Sequence, residues 1–127
     1  MNHCGTQIIG TERLLLRPFT IDDADAMYRN WASDPEVVKY LTWPAHKSSE
    51  DSKAVLEDWA SSYIGKHFYQ WAIVLKEHGS EPIGSISAVN MNDDIGMVEI
   101  GYCIGKDWWH KGITSEAMKA VMDSFSI

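Results

Sequence analysis

The hydrophobic positions of the chain change period several times, and each change marks a new element. Leu14 and Leu16 alternate with Leu15 and Arg17, the two-residue period of a short strand, and Pro18 stops it. Thr20 followed by Asp23 is an acidic variant of a helix N-cap signal. Ala24, Met27, Tyr28 and Trp31 then keep helical spacing as far as Asp34-Pro35, where the residue ahead of a proline is driven from the helical region. A second helix opens at Ser48 or Ser49, carries Val55, Leu56, Trp59, Ala60 and Tyr63 as its apolar stripe, and closes at Gly65. Tyr69–Leu75 reads as a strand, 77–79 as a turn and 82–89 as the returning strand. Asn92-Asp93-Asp94 is a second turn, leading into the strand Met97–Ile104. The last helix sets Ala117, Met118, Val121, Met122 and Phe125 on one face. The order β, α, α, β, β, β, α predicts an α/β fold in the broad sense (α+β by topology): a mostly antiparallel sheet flanked by helices, not a doubly wound one. The first ten residues carry no period and are expected to be loose.

Length and composition narrow the picture. With 127 residues the chain forms a single domain, 1–127, and is too short for two. No apolar run approaches the ~20 residues that span a bilayer, and Met1-Asn2-His3-Cys4-Gly5 lacks the basic and apolar regions of a secretion signal. With only 2 cysteines there is no disulfide scaffold, so Cys4 and Cys103 read as free thiols of a cytoplasmic protein. No Cys/His or His/carboxylate spacing suggests a metal site. A net charge of −7 argues against a nucleic-acid partner, which demands basic surface. Against that acidic background Lys106, His110, Lys111 and Lys119 gather around one loop and the helix after it. A solvated face explains such a cluster plainly; its place beside an anion-type loop favours a functional role.

That loop is the most informative stretch: Trp108-Trp109-His110-Lys111-Gly112-Ile113-Thr114-Ser115-Glu116-Ala117, between the strand Met97–Ile104 and the last helix. A glycine-bearing loop running from a strand into a helix start presents several backbone N–H groups at the positive end of the helix dipole, where an anion is favoured. Placed after Glu99-Ile100-Gly101-Tyr102, it is the expected seat of a pyrophosphate such as that of coenzyme A. Gly101, Gly105 and Gly112 are too widely spaced for a dinucleotide fingerprint, and hairpins rather than βαβ units precede them.

Several motifs in this order resemble the GNAT N-acetyltransferase superfamily, and more narrowly its ribosomal-protein N-terminal (RimJ/RimL-type) branch. They are Thr11-Glu12-Arg13-Leu14-Leu15-Leu16-Arg17-Pro18, Tyr40-Leu41-Thr42-Trp43-Pro44, Ile83-Gly84-Ser85-Ile86, Glu99-Ile100-Gly101-Tyr102 and the loop from Trp109 to Ala117. The superfamily's loop is usually Gln/Arg-x-x-Gly-x-Gly/Ala; here Trp109 stands first and Thr114 last, which implies weakened or reshaped phosphate binding at worst. The family's domain normally continues into another strand, a helix and a closing hairpin, so the resemblance also implies a C-terminally truncated chain. A sheet edge left bare in that way is expected to drive formation of a homo-oligomer or segment-exchanged dimer.

The resemblance implies acetyl-CoA as co-substrate and a primary amine as acceptor, foremost a protein N-terminal α-amino group such as that of a ribosomal protein. Tyr102, Cys103 and Ile104 would line the pantetheine arm through main-chain groups, at a bulge that splays their strand from the next one. Trp109, His110, Lys111, Gly112, Ile113 and Thr114 would form the pyrophosphate loop, mostly through backbone N–H groups. Glu99 corresponds to a recurrent acidic position and is the candidate general base; an exposed strand carboxylate is the competing reading. Tyr40, Trp43, Tyr69 and Trp71 are candidate walls of an acceptor groove, with core packing as the alternative. Magnitudes favour the α-amine: at a reference pKa of ~7.7–8.0 its deprotonation at neutral pH costs about 1 kcal/mol, against roughly 4–5 kcal/mol for lysine. The alternative to an enzyme is a CoA-binding or self-associating module without turnover.

Overall fold

The alternation at Leu14 and Leu16 extends through a five-stranded antiparallel sheet. The computed structural model describes residues 6–39, 45–63, 68–92 and 97–124, with backbone alone at 89–92 and 97–99. The strands are β1 (Ile9–Gly10), β2 (Leu14–Arg17), β3 (Tyr69–Leu75), β4 (Pro82–Asn92) and β5 (Met97–Ile104), and they lie side by side in chain order. Because side chains alternate across a sheet, one face collects Leu14, Leu16, Trp71, Ile73, Ile86 and Ile104. That face packs on Ile113, Ala117 and Val121 of the last helix, α3 (Ile113–Ser124). The other face gives Ala72 and Cys103 to a second core with Phe19, Met27, Trp31 and Leu56. The sheet is therefore a middle layer between α3 and the two earlier helices.

The first of those helices is composite. A 3-10 turn (Ile21–Asp23) leads into α1 (Ala24–Met27) and then a π turn (Tyr28–Ala32), closed by Ser33 N–H donating to the Tyr28 carbonyl at 3.1 Å. The predicted cap is present: the Asp23 carboxylate accepts from Thr20 N–H at 2.8 Å. The same buried carboxylate takes both arms of the Arg17 guanidinium at 2.9 Å, which ties the end of β2 to the helix start. The second long helix, α2 (Ser49–Ser62), begins after Ser48 in extended backbone, with Leu56 and Ser52 fully buried. Gly65, its expected stop, lies outside the described residues.

Residues 6–10 are not loose as expected. Ile9 and Gly10 pair with Leu16 and Leu15. The Trp71 indole N–H donates to the Gln7 carbonyl at 2.7 Å, and Thr6 Oγ1 donates to the Phe68 carbonyl at 2.8 Å. A two-residue strand shows no period, so only its tertiary partners reveal it.

The register contains a second departure. The bulge was expected in β5, but both register shifts insert an extra residue into β4, between its pairings with β3 and again near its end. From Ile100 to Ile104 β5 pairs with β4 without interruption, and Gly84 explains how closely: a Cβ there would lie 2.4 Å from the Cys103 carbonyl oxygen. β5 closes the sheet at one side, so its far edge faces no strand among the described residues.

Candidate functional site

The segment joining β5 to α3 is built to expose its backbone. Gly105 N–H donates to the Ile83 carbonyl at 2.8 Å and ends the ladder; a 3-10 turn (Lys106–Trp108) follows. His110 then has φ 63° and Gly112 φ 75°, with Lys111 of ordinary hand between them. Alternating hands of this kind turn successive N–H groups toward one concave side, the arrangement that holds anions. Gly112 adopts its conformation without penalty, whereas His110 is held in a region that costs an L-residue about 1–2 kcal/mol. The α3 ladder opens with Glu116 N–H donating to the Gly112 carbonyl at 3.1 Å. The amides of Ile113, Thr114 and Ser115 precede it, and no acceptor among the described residues meets them.

Next to this cradle runs the edge of β5 that faces no strand among the described residues. Gly105 and Ile83 form a hydrogen-bonded pair, so Cys103 with Ser85, and Gly101 with Ser87, do the same, while Ile100, Tyr102 and Ile104 turn their main-chain groups outward. This corrects one expectation: Cys103 offers no main-chain group at the edge, because antiparallel pairing commits it to β4. The Ile104 carbonyl is also taken, by the Trp109 indole N–H at 3.0 Å. Trp109 therefore clamps the loop to the strand end with its ring against the core. What remains facing outward is the N–H and C=O of Ile100 and Tyr102 and the N–H of Ile104.

A polar brace holds the loop from behind. The Glu116 carboxylate, in the first turn of α3, accepts from the Thr11 hydroxyl, from Arg13 N–H at 3.1 Å and from Arg13 Nε at 2.7 Å. Burial pushes the Glu116 carboxyl up, but the hydrogen bonds from Thr11 and Arg13 outweigh it and hold the group below its ordinary value. Arg13 Nη1 reaches on to the Lys111 carbonyl at 3.0 Å.

The basic cluster read from the sequence divides. Lys106 is paired with Glu36 at 2.5 Å, and that hydrogen bond raises its pKa. Lys119 lines a 590 Å³ groove between β1 and α3 together with Glu12, Glu116 and Asp123. That groove is the larger concavity, but its acids give it the wrong sign for a phosphate, and it lies toward β1 rather than β5. His110 and Lys111 remain exposed at the loop itself.

On the sheet face covered by α2 there is a smaller cleft, 160 Å³, at the β5 edge. Gln70, Ser85, Ser87, Gly101 and Cys103 make its floor and Trp59 a wall. The sequence marked Trp59 only as core and did not single out Gln70, Ser85 or Ser87 as a site. Polar residues alternating with the apolar run of two adjacent buried strands were the available signal. Burial pushes the Cys103 thiol up to about 12, so it is un-ionised near neutral pH and a poor nucleophile.

The aromatic candidates do not gather there. Tyr69 and Trp71, at 4% and 1% exposure, stack in the core beneath α3, on the face opposite the cleft. Alternation places them on one face but does not say which, and the structure seats them in the apolar one. Tyr40 and Trp43 lie outside the described residues. Glu99 is described as backbone only, opposite Val89 and two residues before Gly101 on β5.

Residues 13–126 match the Acetyltransferase (GNAT) domain family. The chain belongs to that family. It is 32% identical over 113 residues to the uncharacterized N-acetyltransferase p20 of Bacillus licheniformis, covering 89% of this chain and 62% of the relative. It is 30% identical over 115 residues to the uncharacterized N-acetyltransferase YoaA of Bacillus subtilis (strain 168), covering 91% and 64%. The chain thus spans a little under two thirds of the length of these relatives. Its fold is also that of RimL, the ribosomal L7/L12 α-N-protein acetyltransferase solved in complex with coenzyme A, with a TM-score of 0.76 at 19% identity over 94% of this chain and 67% of that one.

Proposed function

We propose that the chain binds acetyl-CoA and transfers its acetyl group to a primary amine, foremost a protein N-terminal α-amino group, by direct attack in a ternary complex. The observation that carries this reading is the cradle from His110 to Ser115, with two residues at positive φ and helix-start amides that meet no acceptor among the described residues, adjoining the outward edge of β5. Family membership supplies the chemistry that fits such a cradle. The amides of 110–114 receive the pyrophosphate, and the pantetheine arm runs along β5, bonding to the main chain of Tyr102 and Ile104.

A thioester is already activated, so the protein's task is to align the amine, take its proton and stabilise the tetrahedral oxyanion. In this reading the amine enters from the cleft of Gln70, Ser85 and Ser87, opposite the α3 face. Its nitrogen attacks the thioester carbonyl carbon, an outward N–H of β5 receives the oxyanion, and the C–S bond breaks to release the thiolate. Glu99 takes the amine proton, directly or through water. An α-amino group asks only about 1 kcal/mol of such a base at neutral pH. The un-ionised Cys103 supports direct transfer over a route through an acetylated enzyme. RimL acts on a ribosomal-protein N-terminus, which supports placing such N-termini in the acceptor panel.

Calorimetric titration with acetyl-CoA and thiol release over a panel of amines and N-terminal peptides test the proposal together. Saturable binding with steady thiol release supports it. Binding without turnover assigns the chain to a non-catalytic CoA-binding module, and absence of binding by the folded chain rejects the cradle as a CoA seat.

A further inference from the structure

We infer that Arg13 is a positioning residue for the pyrophosphate loop: it fixes the Lys111–Gly112 peptide so that the Gly112 amide faces the ligand. This rests on the reading of the loop as the CoA seat. Arg13 lies at the start of the β2 hairpin, 103 positions before Glu116 in the chain, yet it is joined to α3 and to the loop at once. Its Nε and backbone N–H hold Glu116 at 2.7 and 3.1 Å, and its Nη1 donates to the Lys111 carbonyl at 3.0 Å. The guanidinium is planar, so anchoring one edge on the carboxylate fixes where the other edge points. Thr11 steadies the arrangement from the same side by donating to Glu116 and accepting from Leu14 N–H at 2.9 Å.

The consequence for the loop follows from the planarity of the peptide bond. In a trans peptide the C=O and the following N–H point in opposite directions. With its oxygen held on the Arg13 side, the Lys111–Gly112 unit must turn the Gly112 N–H to the opposite side. The positive φ of Gly112 then carries the chain into α3. Without the brace, a loop containing a glycine and a strained His110 has lower-energy alternatives to sample. Arg13 acts on the loop and not on the β5 edge, so its effect is confined to the part of the ligand the loop grips.

The test compares two ligands on the whole chain: coenzyme A, and pantetheine, which lacks the pyrophosphate. In R13Q the affinity for coenzyme A falls about five- to tenfold, the scale of losing charge-assisted hydrogen bonds at a half-exposed side chain, while pantetheine binds as before. R13K recovers part of the loss, because a lysine reaches either Glu116 or the Lys111 carbonyl but does not span both. R13Q binding coenzyme A as tightly as the unaltered chain overturns the inference alone. Equal losses for both ligands also overturn it, since that marks a general loosening of the fold. Failure of the unaltered chain to bind coenzyme A overturns the reading on which it rests.

Discussion

Replacing Gly112 by alanine separates the cost of the loop's shape from the cost of filling it. An added Cβ would lie 3.5 Å from Arg13 Nη2, an ordinary contact, so the substitution does not clash. Its penalty is conformational: at φ 75° an alanine pays about 1–2 kcal/mol, offset by about 0.4–1 kcal/mol because alanine also restricts the unfolded chain. The net loss is up to about 1.6 kcal/mol, a fall in melting temperature of as much as a few degrees for a chain of this length. His110 supplies the control of opposite sign. It already pays the left-handed penalty at φ 63°, so H110G relieves about 1–2 kcal/mol while adding about 0.5–1 kcal/mol of unfolded-state entropy. H110G should therefore melt at or slightly above the unaltered chain, and G112A below it. Relaxation of an alanine toward negative φ also rotates the amides out of the cradle, so coenzyme A binding by G112A should weaken by about tenfold or more. Thermal unfolding by circular dichroism and calorimetric titration read both effects. A G112A chain that melts and binds coenzyme A like the unaltered one would refute the reasoning.

Further outcomes follow from the same contacts. The Glu116 carboxyl is held below its ordinary value, so its contribution to stability is present above the unfolded pKa of about 4.3 and is lost as pH falls through the depressed folded value. E116Q should flatten the acid limb of a melting-temperature profile below about pH 4, and an unchanged limb would contradict the brace. C103A should keep acetyl transfer, because a thiol pushed up to about 12 carries no acetyl group in the proposed route; an acetylated Cys103 trapped by mass spectrometry would overturn direct attack. In the absence of ligand the outward edge of β5 should pair with that of a second copy, so light scattering should show mass rising with concentration, and coenzyme A, which competes for the same edge, should reverse it. A monodisperse monomer at high concentration would count against that edge as an association site.

The sequence and the structure agree most closely where a period is long and one face is buried. Tyr69–Leu75 and Met97–Ile104 have the predicted limits, and α3 begins directly after Gly112. Agreement fails where a third dimension decides. β1 is two residues long and is defined by its pairing with β2 and by its flank, where Gln7 accepts from Trp71 and Thr6 from Gln70, contacts no local pattern encodes. The π turn at Tyr28–Ala32 keeps the apolar spacing of a helix while changing its hydrogen bonds, so Trp31 gives no warning of it. Tyr69 and Trp71 alternate as groove residues would, and only the packing of α3 shows that their face is the core. The loop was legible because its chemistry is local: a glycine, a helix start and a strand before it. Its brace was not, because Thr11, Arg13 and Glu116 meet only when β2 and α3 share a face. The cleft of Gln70, Ser85 and Ser87 lies on a hairpin the sequence does predict; what the hairpin leaves open is which of its faces α2 covers.

Amide nuclear magnetic resonance of the labelled chain during titration with coenzyme A puts the cradle to the most direct trial. The shifts should concentrate on the N–H groups of Lys111, Gly112, Ile113 and Thr114, with a second set at Tyr102 and Ile104 on the outward edge of β5. Cys103, whose amide is committed to Ser85, should move little. Shifts clustered instead along the groove of Glu12, Lys119 and Asp123, or no shifts at saturating ligand, would contradict the assignment of the loop before α3 as the diphosphate seat.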